Sequence, residues 1–401
     1  MSVLLLGAGR GQLAAYRAAR ELGLTVVGVD PNPAAPGLAM AQHRYSFDLA
    51  DQQRALEVAQ RHRVQGVFTM AADYPMPTLA ALCAALALPG PSVDAVRNAT
   101  HKARMREAFA RHGVPGPRCL PAHNAAEAIA CARELGGDVV LKPMLSQGGR
   151  GISRVPAGAD VERLRLAYAH AQAHTRADGV LVEDCVDGPE FSVETLTWQG
   201  QSRVLAITDK LTSGAPHFVE LGHQQPSSLD TQAQGRLAAT ALAAIRALGI
   251  DQAAGHHEMR LGAAGPMMME SGARLGGGFI TSDLVPLSTG IDLVRAALQV
   301  AMGQSPDLRP QRASSAAVVR FMTAAPGRVL AIEGLAEARG QAGLQCLDLY
   351  RQPGDLVPPL TDAAARCGHL ICCAASPVEA AAAADAALAR LQITTQEGAH
   401  D

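Results

Sequence analysis

The chain has 401 residues, 48% of them hydrophobic and 18% charged, with a formal net charge of −2. That length exceeds what one core supports and predicts two or three domains. The near-neutral charge argues against nucleic acid as a partner, and no apolar run is long enough to span a membrane. "MSVLLLGAGRG" lacks the basic start and long apolar run of a signal peptide, so the expectation is a cytoplasmic protein. Eight scattered cysteines form no C-x-x-C pair. Cys372 and Cys373, adjacent in an apolar run, are expected to be reduced, buried thiols.

Residues 1–97 alternate strand-like and helix-like segments. "SVLLLGAG" is a buried strand entering a Gly-rich turn, "QLAAYRAARELG" a helix closed by Gly23, and "TVVGVD" and "VQGVFTM" are further strands. This alternation predicts a parallel, doubly wound α/β sheet. "LPGPSVDAV" is a break before a helix carrying Lys102, and "HGVPGPRCLP" is the entry to a new unit with an α+β rhythm. "GQSPDLRPQR" at Gly303–Arg312 reads as a linker. Beyond it lie strands at "SAAVVRFM", "LQCLDLY" and "GHLICCAA". The closing helix is opened by Ser376-Pro377-Val378-Glu379, a capping box with Pro at the first helical position. The domains expected are 1–97, 98–305 and 306–401.

Several stretches could carry chemistry. In "GAGRGQ" Gln12 stands where G-x-G-x-x-G has its third glycine, and Asp30 ends the second strand as a ribose-binding acid would. A dinucleotide site here, and with it an NAD-dependent dehydrogenase, stays open beside a purely structural turn. In "DVVLKPMLSQGGRGISRV" a strand ends in Lys142-Pro143, and the loop Ser146-Gln147-Gly148-Gly149-Arg150-Gly151 precedes another strand. Such glycines let backbone N–H groups wrap phosphates while a lysine supplies a point charge. The lysine precedes the glycines and a strand follows, so this is not a Walker A loop; a plain hairpin tip is the alternative. Lys102 precedes Met105 by three residues, and a helical period puts it on the inward face with Met105 and Phe109; a surface lysine that snorkels to solvent is the alternative. "VLVEDCVDGPEFSVETL" sets Glu183 and Glu190 around a Gly-Pro turn, with Ser192 and Glu194 on the face of Glu190.

The most informative stretch is "MMMESGARLGGG", Met267–Gly278. "GHHEMRL" and "MMMES" read as strands flanking the turn "GAAGP". If Leu261 pairs with Met267, Glu258 stands opposite Glu270. Like charges so placed are destabilising unless a cation lies between them, and two carboxylates suit Mg²⁺ carrying a nucleotide's phosphates. Arg274 adds a fixed positive fork for a phosphoryl group or oxyanion. Gly276, Gly277 and Gly278 let backbone approach the same centre, and the three methionines are expected to be the strand's packed side. His256 reads as a satisfied structural histidine.

In this order the pieces resemble the ATP-grasp superfamily of carboxylate–amine ligases, over essentially the whole chain. "TDKLTSGAPHFVELGHQQPS" is similar to a segment of L-amino-acid (dipeptide) ligases and of the carbamoyl-phosphate-synthase branch. The resemblance implies a Rossmann-like pre-ATP-grasp domain, a nucleotide-binding lobe with a lid (about 115–185), a catalytic lobe (about 186–305) and a small C-terminal α+β domain. It implies that Lys102 and Lys142 contact the α- and β-phosphates under a lid of Ser146, Gln147, Gly148, Gly149 and Gly151. Glu183, Asp184, Cys185 and Val186 would form the adenine hinge, and Glu190 would bind the ribose. Glu258 and Glu270 would hold the metal, Arg274 with Gly277 beside it would serve the acyl-phosphate, and Lys210 the γ-phosphate. The implied cofactors are ATP and Mg²⁺, with Mn²⁺ as a substitute. The implied substrates are a small carboxylate, an amino acid first, and an amine, in a chain that could form a homodimer. One position departs: Gly272 stands where many members have Asn. A bicarbonate-dependent carboxylase and a non-catalytic nucleotide-binding protein are the other readings.

Overall fold

The computed structural model describes residues 1–146, 148–175 and 179–396; Gln147 of the expected lid lies outside them. The N-terminal strands β1 (Ser2–Leu6), β2 (Thr25–Val29), β3 (His43–Tyr45) and β4 (Gly66–Phe68) form one parallel sheet in the order β3-β2-β1-β4. Val3, Leu4, Leu5 and Leu6 are all buried, because helices cover both faces of such a sheet. The edge strand β3 escapes a sequence reading: it has three residues, "HRY", and no apolar run. The helix after the Gly turn runs Leu13–Glu21, with Gly23 left-handed at φ +68°.

The helix expected to carry Lys102 is two helices, Val93–Thr100 and Lys102–Arg111. His101, extended at φ −107°, breaks them apart, and its ring Nδ1 accepts from the Arg104 N–H at 3.4 Å. Lys102 is therefore the first residue of a new helix, anchored rather than carried mid-span.

A second sheet follows: β5 (Cys119–Ala122), β6 (Val139–Pro143), β7 (Ser153–Val155) and β8 (Val180–Asp184), antiparallel in the order β5-β8-β6-β7. Helices Ala125–Leu135 and Val161–Ala173 bury Ala128, Leu164 and Ala171 against its apolar face.

The third sheet has eight strands. It contains β9 (Glu190–Trp198), β10 (Gln201–Thr212), β11 (Glu220–Gln225), β12 (Ala253–Gly262) and β13 (Gly265–Gly272). It then continues past the Gly303–Arg312 segment into β14 (Ala316–Met322), with β16 (Leu344–Leu349) and β18 (Gly368–Ala374) beyond, in the order β13-β12-β9-β10-β11-β14-β18-β16. β15 (Gly327–Glu333), β17 (Leu356–Val357) and β19 (Gln392–Gln396) form a small sheet, β17-β15-β19. Helix Thr231–Leu248 buries Leu237, Ala241 and Ile245 in a core shared with Phe191 and Val193. The capping box at Ser376 and Glu379 is formed as the spacing predicts. The described cysteines are all free; Cys372 is buried and Cys373 half-buried. Among the described residues no single helix is long and apolar enough to cross a membrane.

Candidate active site

A cleft lies where the second and third sheets meet. It is lined by Lys142, Gly148, Gly149, Glu183, Asp184, Cys185, Val186, Glu190, Lys210, Glu258, Glu270, Arg274 and Gly277. Residues scattered over more than a hundred positions of sequence thus converge. Lys102, Ser146 and Gly151 are not part of that lining.

At one end Glu183 is buried between two cations. Arg106 donates to its Oε1 through Nε (2.7 Å) and to its Oε2 through Nη2 (3.2 Å), and the Lys142 ammonium forms an ion pair with the same Oε2. Burial alone would raise the Glu183 pKa, but Arg106 and Lys142 hold it at about 2. Burial pulls Lys142 down to about 8, with Glu183 opposing. Lys102 donates to Glu270 Oε2 (2.9 Å) and to the Ser146 carbonyl (3.1 Å). Gly148, Gly149 and Gly151 have φ of +69°, +73° and +77°, a left-handed run that explains why the loop is written in glycine. In the expected hinge, the N–H groups of Asp184 and Cys185 bond to the carbonyls of Arg118 (3.0 Å) and Asp138 (2.8 Å). The Val186 carbonyl accepts from Arg260 (3.0 Å).

At the other end Glu258 does stand opposite Glu270, by a different route from the one expected. The connection is tighter, with Gly262 opposite Gly265 and Leu261 opposite Pro266. A β-bulge at Met269 then adds one residue to β13 and restores the pairing of the two acids. The methionines are not all on the packed side: Met268 is fully buried, whereas Met267 and Met269 are half-buried, and Met269 lines the cleft. Successive strand residues point to opposite faces, so three in a row cannot share one.

The Lys210 side chain, 1% exposed, is surrounded by Glu190 (3.0 Å), Glu220 (2.8 Å) and Glu258 (2.5 Å). Burial opposes its charge, yet these carboxylates hold its pKa well above the usual lysine value. Glu258 stays well below the usual carboxylate range: burial would raise it, and Lys210 and His256 outweigh that. The register explains the grouping, because Glu190 pairs with Lys210 on one side and Arg260 on the other. Among the described residues no group of three or more His, Cys, Asp or Glu side chains would hold a metal by itself. Two opposed carboxylates are nevertheless hard oxygen donors of the kind that hold Mg²⁺ together with phosphate oxygens, so the pair fits that ion.

Arg274 makes a two-pronged pair with Asp73 of the N-terminal region, Nε at 2.7 Å and Nη2 at 2.9 Å. The glycines after it are explained by what lies beneath. A Cβ on Gly276 would fall 2.6 Å from His256 Nδ1, and one on Gly278, itself at φ +59°, 2.7 Å from His223 Nε2. Gly277 packs against Ala71. His256 is held by Glu194 (Nδ1 to Oε1, 2.7 Å) and approaches Glu258 (Nε2 to Oε1, 3.2 Å). Burial would lower its pKa, but Glu194 and Glu258 raise it to about 9. His223 is buried, with neither ring nitrogen hydrogen-bonded, and burial lowers it to about 3. At Gly272 the nearest atoms to a Cβ would be those of the Arg274 side chain, from 3.4 Å, an ordinary contact, so space does not dictate that glycine.

Sequence reasoning missed Arg106, Asp73, Glu220 and Arg366. Arg366 donates to the Glu220 carbonyl (2.9 Å) and carboxylate (3.0 Å), bringing the C-terminal segment to the cleft. Arg106 alone carried a local signal: it follows Lys102 by one helical turn and shares its face. The N-terminal Gly turn is filled from within. Ala8 N–H donates to Asp30 (2.7 Å), and the Gln12 side chain folds over Gly7 and Gly9 to reach the Met70 carbonyl (2.9 Å).

Comparison with known proteins bears on the family and the fold. The ATP-grasp domain family matches residues 135–283, and the L-amino acid ligase C-terminal domain 2 family matches residues 320–396. The crystal structure of an L-amino acid ligase from Bacillus licheniformis superposes on 99% of each chain, with a TM-score of 0.85 and 25% identity. Carnosine synthase 1 of Gallus gallus is 27% identical over 92% of this chain and 44% of its own. Alanine–anticapsin ligase of Bacillus subtilis (strain 168) is 25% identical over 57% of this chain and 52% of its own. The chain therefore spans about half the length of these curated relatives. With the cleft and both matches in place, the chain carries an ATP-grasp domain followed by a C-terminal domain of the L-amino acid ligase type, and it is built like the L-amino acid ligase of Bacillus licheniformis.

Proposed function

We propose that the protein is an ATP-dependent ligase that joins a carboxylate, first of all that of an amino acid, to an amine. The observation that carries the reading is the convergence of Lys142, the Glu183–Val186 hinge, the Glu258–Glu270 pair and Arg274 on one cleft. A carboxylate oxygen attacks the γ-phosphorus of ATP, the bond to the β,γ-bridging oxygen breaks, and ADP leaves an acyl-phosphate. The amine then attacks the acyl carbon, phosphate departs, the nitrogen gives up a proton, and an amide results.

Such a transfer asks the protein chiefly for positioning and charge neutralisation. Lys142 and Lys102 would contribute positive charge at the phosphates, with the Ser146–Gly151 loop over them; residues 183–186 would flank the base and Glu190 the ribose. Arg274, fixed by Asp73, would present its remaining guanidinium face to the acyl-phosphate oxygens, with Gly277 keeping that approach clear. Glu258 and Glu270 would hold Mg²⁺ or Mn²⁺, which supplies charge neutralisation at the phosphates. The names of the relatives, an L-amino acid ligase and an alanine–anticapsin ligase, support an amino acid as one substrate. Phosphate release is measured with Mg-ATP and amino acids, singly and in pairs, with products identified by mass. Release that requires a pair and yields a mass equal to the two less water is expected. ATP bound without turnover across a broad panel would leave a non-catalytic nucleotide-binding protein, and release stimulated by bicarbonate alone a carboxylase.

A further inference from the structure

Arg106 takes part in none of these steps, yet it is buried (5% exposed) and all of its bonds go to elements that bear the site. Besides the two bonds to Glu183, Nη1 donates to the Met268 carbonyl (2.7 Å) and Nη2 to the Met269 carbonyl (2.8 Å). Those carbonyls belong to the bulge in β13. A bulge leaves its extra residue out of the ladder, and buried carbonyls so released need donors from elsewhere. One planar guanidinium can serve both carbonyls and a carboxylate at once; an ammonium lacks that fork.

The bulge decides where Glu270 points. Met259 pairs with Met268, and if that register continued, Glu270 would stand opposite His257. A slip of one residue turns a side chain to the other face of the sheet. Because of the bulge, Glu270 stands opposite Glu258 instead, on the cleft side. Arg106 thus ties the strand just before Glu270 to the carboxylate that holds Lys142.

We propose that Arg106 is a positioning residue that holds the Met269 bulge and so keeps Glu270 on the face of Glu258. The inference rests on the reading of these acids as the metal pair. It is tested on the full chain with ADP and Mn²⁺, by electron paramagnetic resonance for metal affinity and calorimetry for ADP affinity without metal. Arg106→Lys keeps a charge beside Glu183 but loses the fork. It should weaken Mn²⁺ binding about 10–100-fold, as loss of groups that orient metal ligands does. ADP affinity without metal should stay close to that of the wild type, and amide exchange at Met269–Ser271 should rise.

A second variant separates this from a general packing role. Deleting Met269 removes the bulge while leaving Glu270 opposite Glu258, so combined with Arg106→Lys it should recover Mn²⁺ affinity. The double variant also answers the case in which Arg106→Lys alone fails to fold. Wild-type Mn²⁺ affinity in folded Arg106→Lys, or a double variant that recovers nothing, overturns the proposal. A wild-type chain that binds no Mn²⁺–ADP removes the ligase reading, and this inference with it.

Discussion

The two buried ionic clusters of the cleft have opposite composition. Around Glu183, one carboxylate is shared by two cations, Arg106 and Lys142, an excess of one positive charge. Around Lys210, one cation is shared by three carboxylates, an excess of two negative charges before Arg260 and Arg366 are counted. A buried pair gains from Coulomb attraction only what desolvation leaves, so neither cluster is explained by stability alone. The first has a cation to spare for phosphate oxygens; the second reaches balance only because Arg260 meets Glu190 and Arg366 meets Glu220 from other elements of the fold.

The sharpest way to break the comparison is to remove its pivot. Lys210→Met leaves the half-buried Glu190, Glu220 and Glu258 without their common partner, and stability should fall by about 3–5 kcal/mol, read from the urea midpoint. Adding Glu220→Gln should return part of the loss, since one of the repelling charges is gone. An unchanged midpoint in Lys210→Met would mean that the carboxylates are not held by it.

A smaller effect is expected where a metal would join the acidic side. Glu270→Gln should lower turnover with Mg-ATP by about 10²–10³-fold, the scale for losing a group that stabilises developing charge. The fold should survive, because Glu270 is partly exposed and Lys102 keeps the Ser146 carbonyl as acceptor. Wild-type turnover in a soluble variant would sink the metal assignment.

The smallest effect belongs to the basic side. Lys142→Ala should weaken ATP affinity by about 1–3 kcal/mol, the range for charge-assisted hydrogen bonds. With Lys142 at about 8 in the free protein, its contribution to ATP affinity is complete below that pH and is lost as pH rises above it. Lys142→Arg, charged throughout, should flatten the titration. For stability the sign is the reverse. The folded chain releases this proton before the unfolded chain does, so the cost of burying Lys142 eases between about 8 and the ordinary lysine value of 10.5.

What the sequence disclosed about this site, and what it concealed, follows from distance along the chain. The facing of Glu258 and Glu270 was legible because they lie twelve positions apart in one hairpin, and like charges opposite each other demand a reason. The bulge at Met269 was not, since it depends on Arg106, which meets Met269 from 163 residues away. Asp73 and Arg274 are separated by 201 residues, and Glu220 and Arg366 by 146, with no local pattern to announce either pair. The helices beside Lys102 were merged because His101 has no strong breaker chemistry; its cap is a ring nitrogen, not a Ser or Asp oxygen. The glycines of Gly276–Gly278 showed that something comes close. That the close neighbours are two buried histidines required the fold.

The eight-stranded sheet bears on how the chain can be cut. β11, which opens with Glu220, has β10 on one side and β14 on the other, through pairs such as Gly222 with Arg320. A truncation at residue 305 would strip one whole edge of β11, leave its N–H and C=O groups without a ladder, and remove Arg366 from Glu220. The cleft's acidic cluster would then sit on a raw sheet edge prone to pairing with other chains. Although the Gly303–Arg312 segment invites separation, the strands before it and the strands beyond it behave as one piece of cloth.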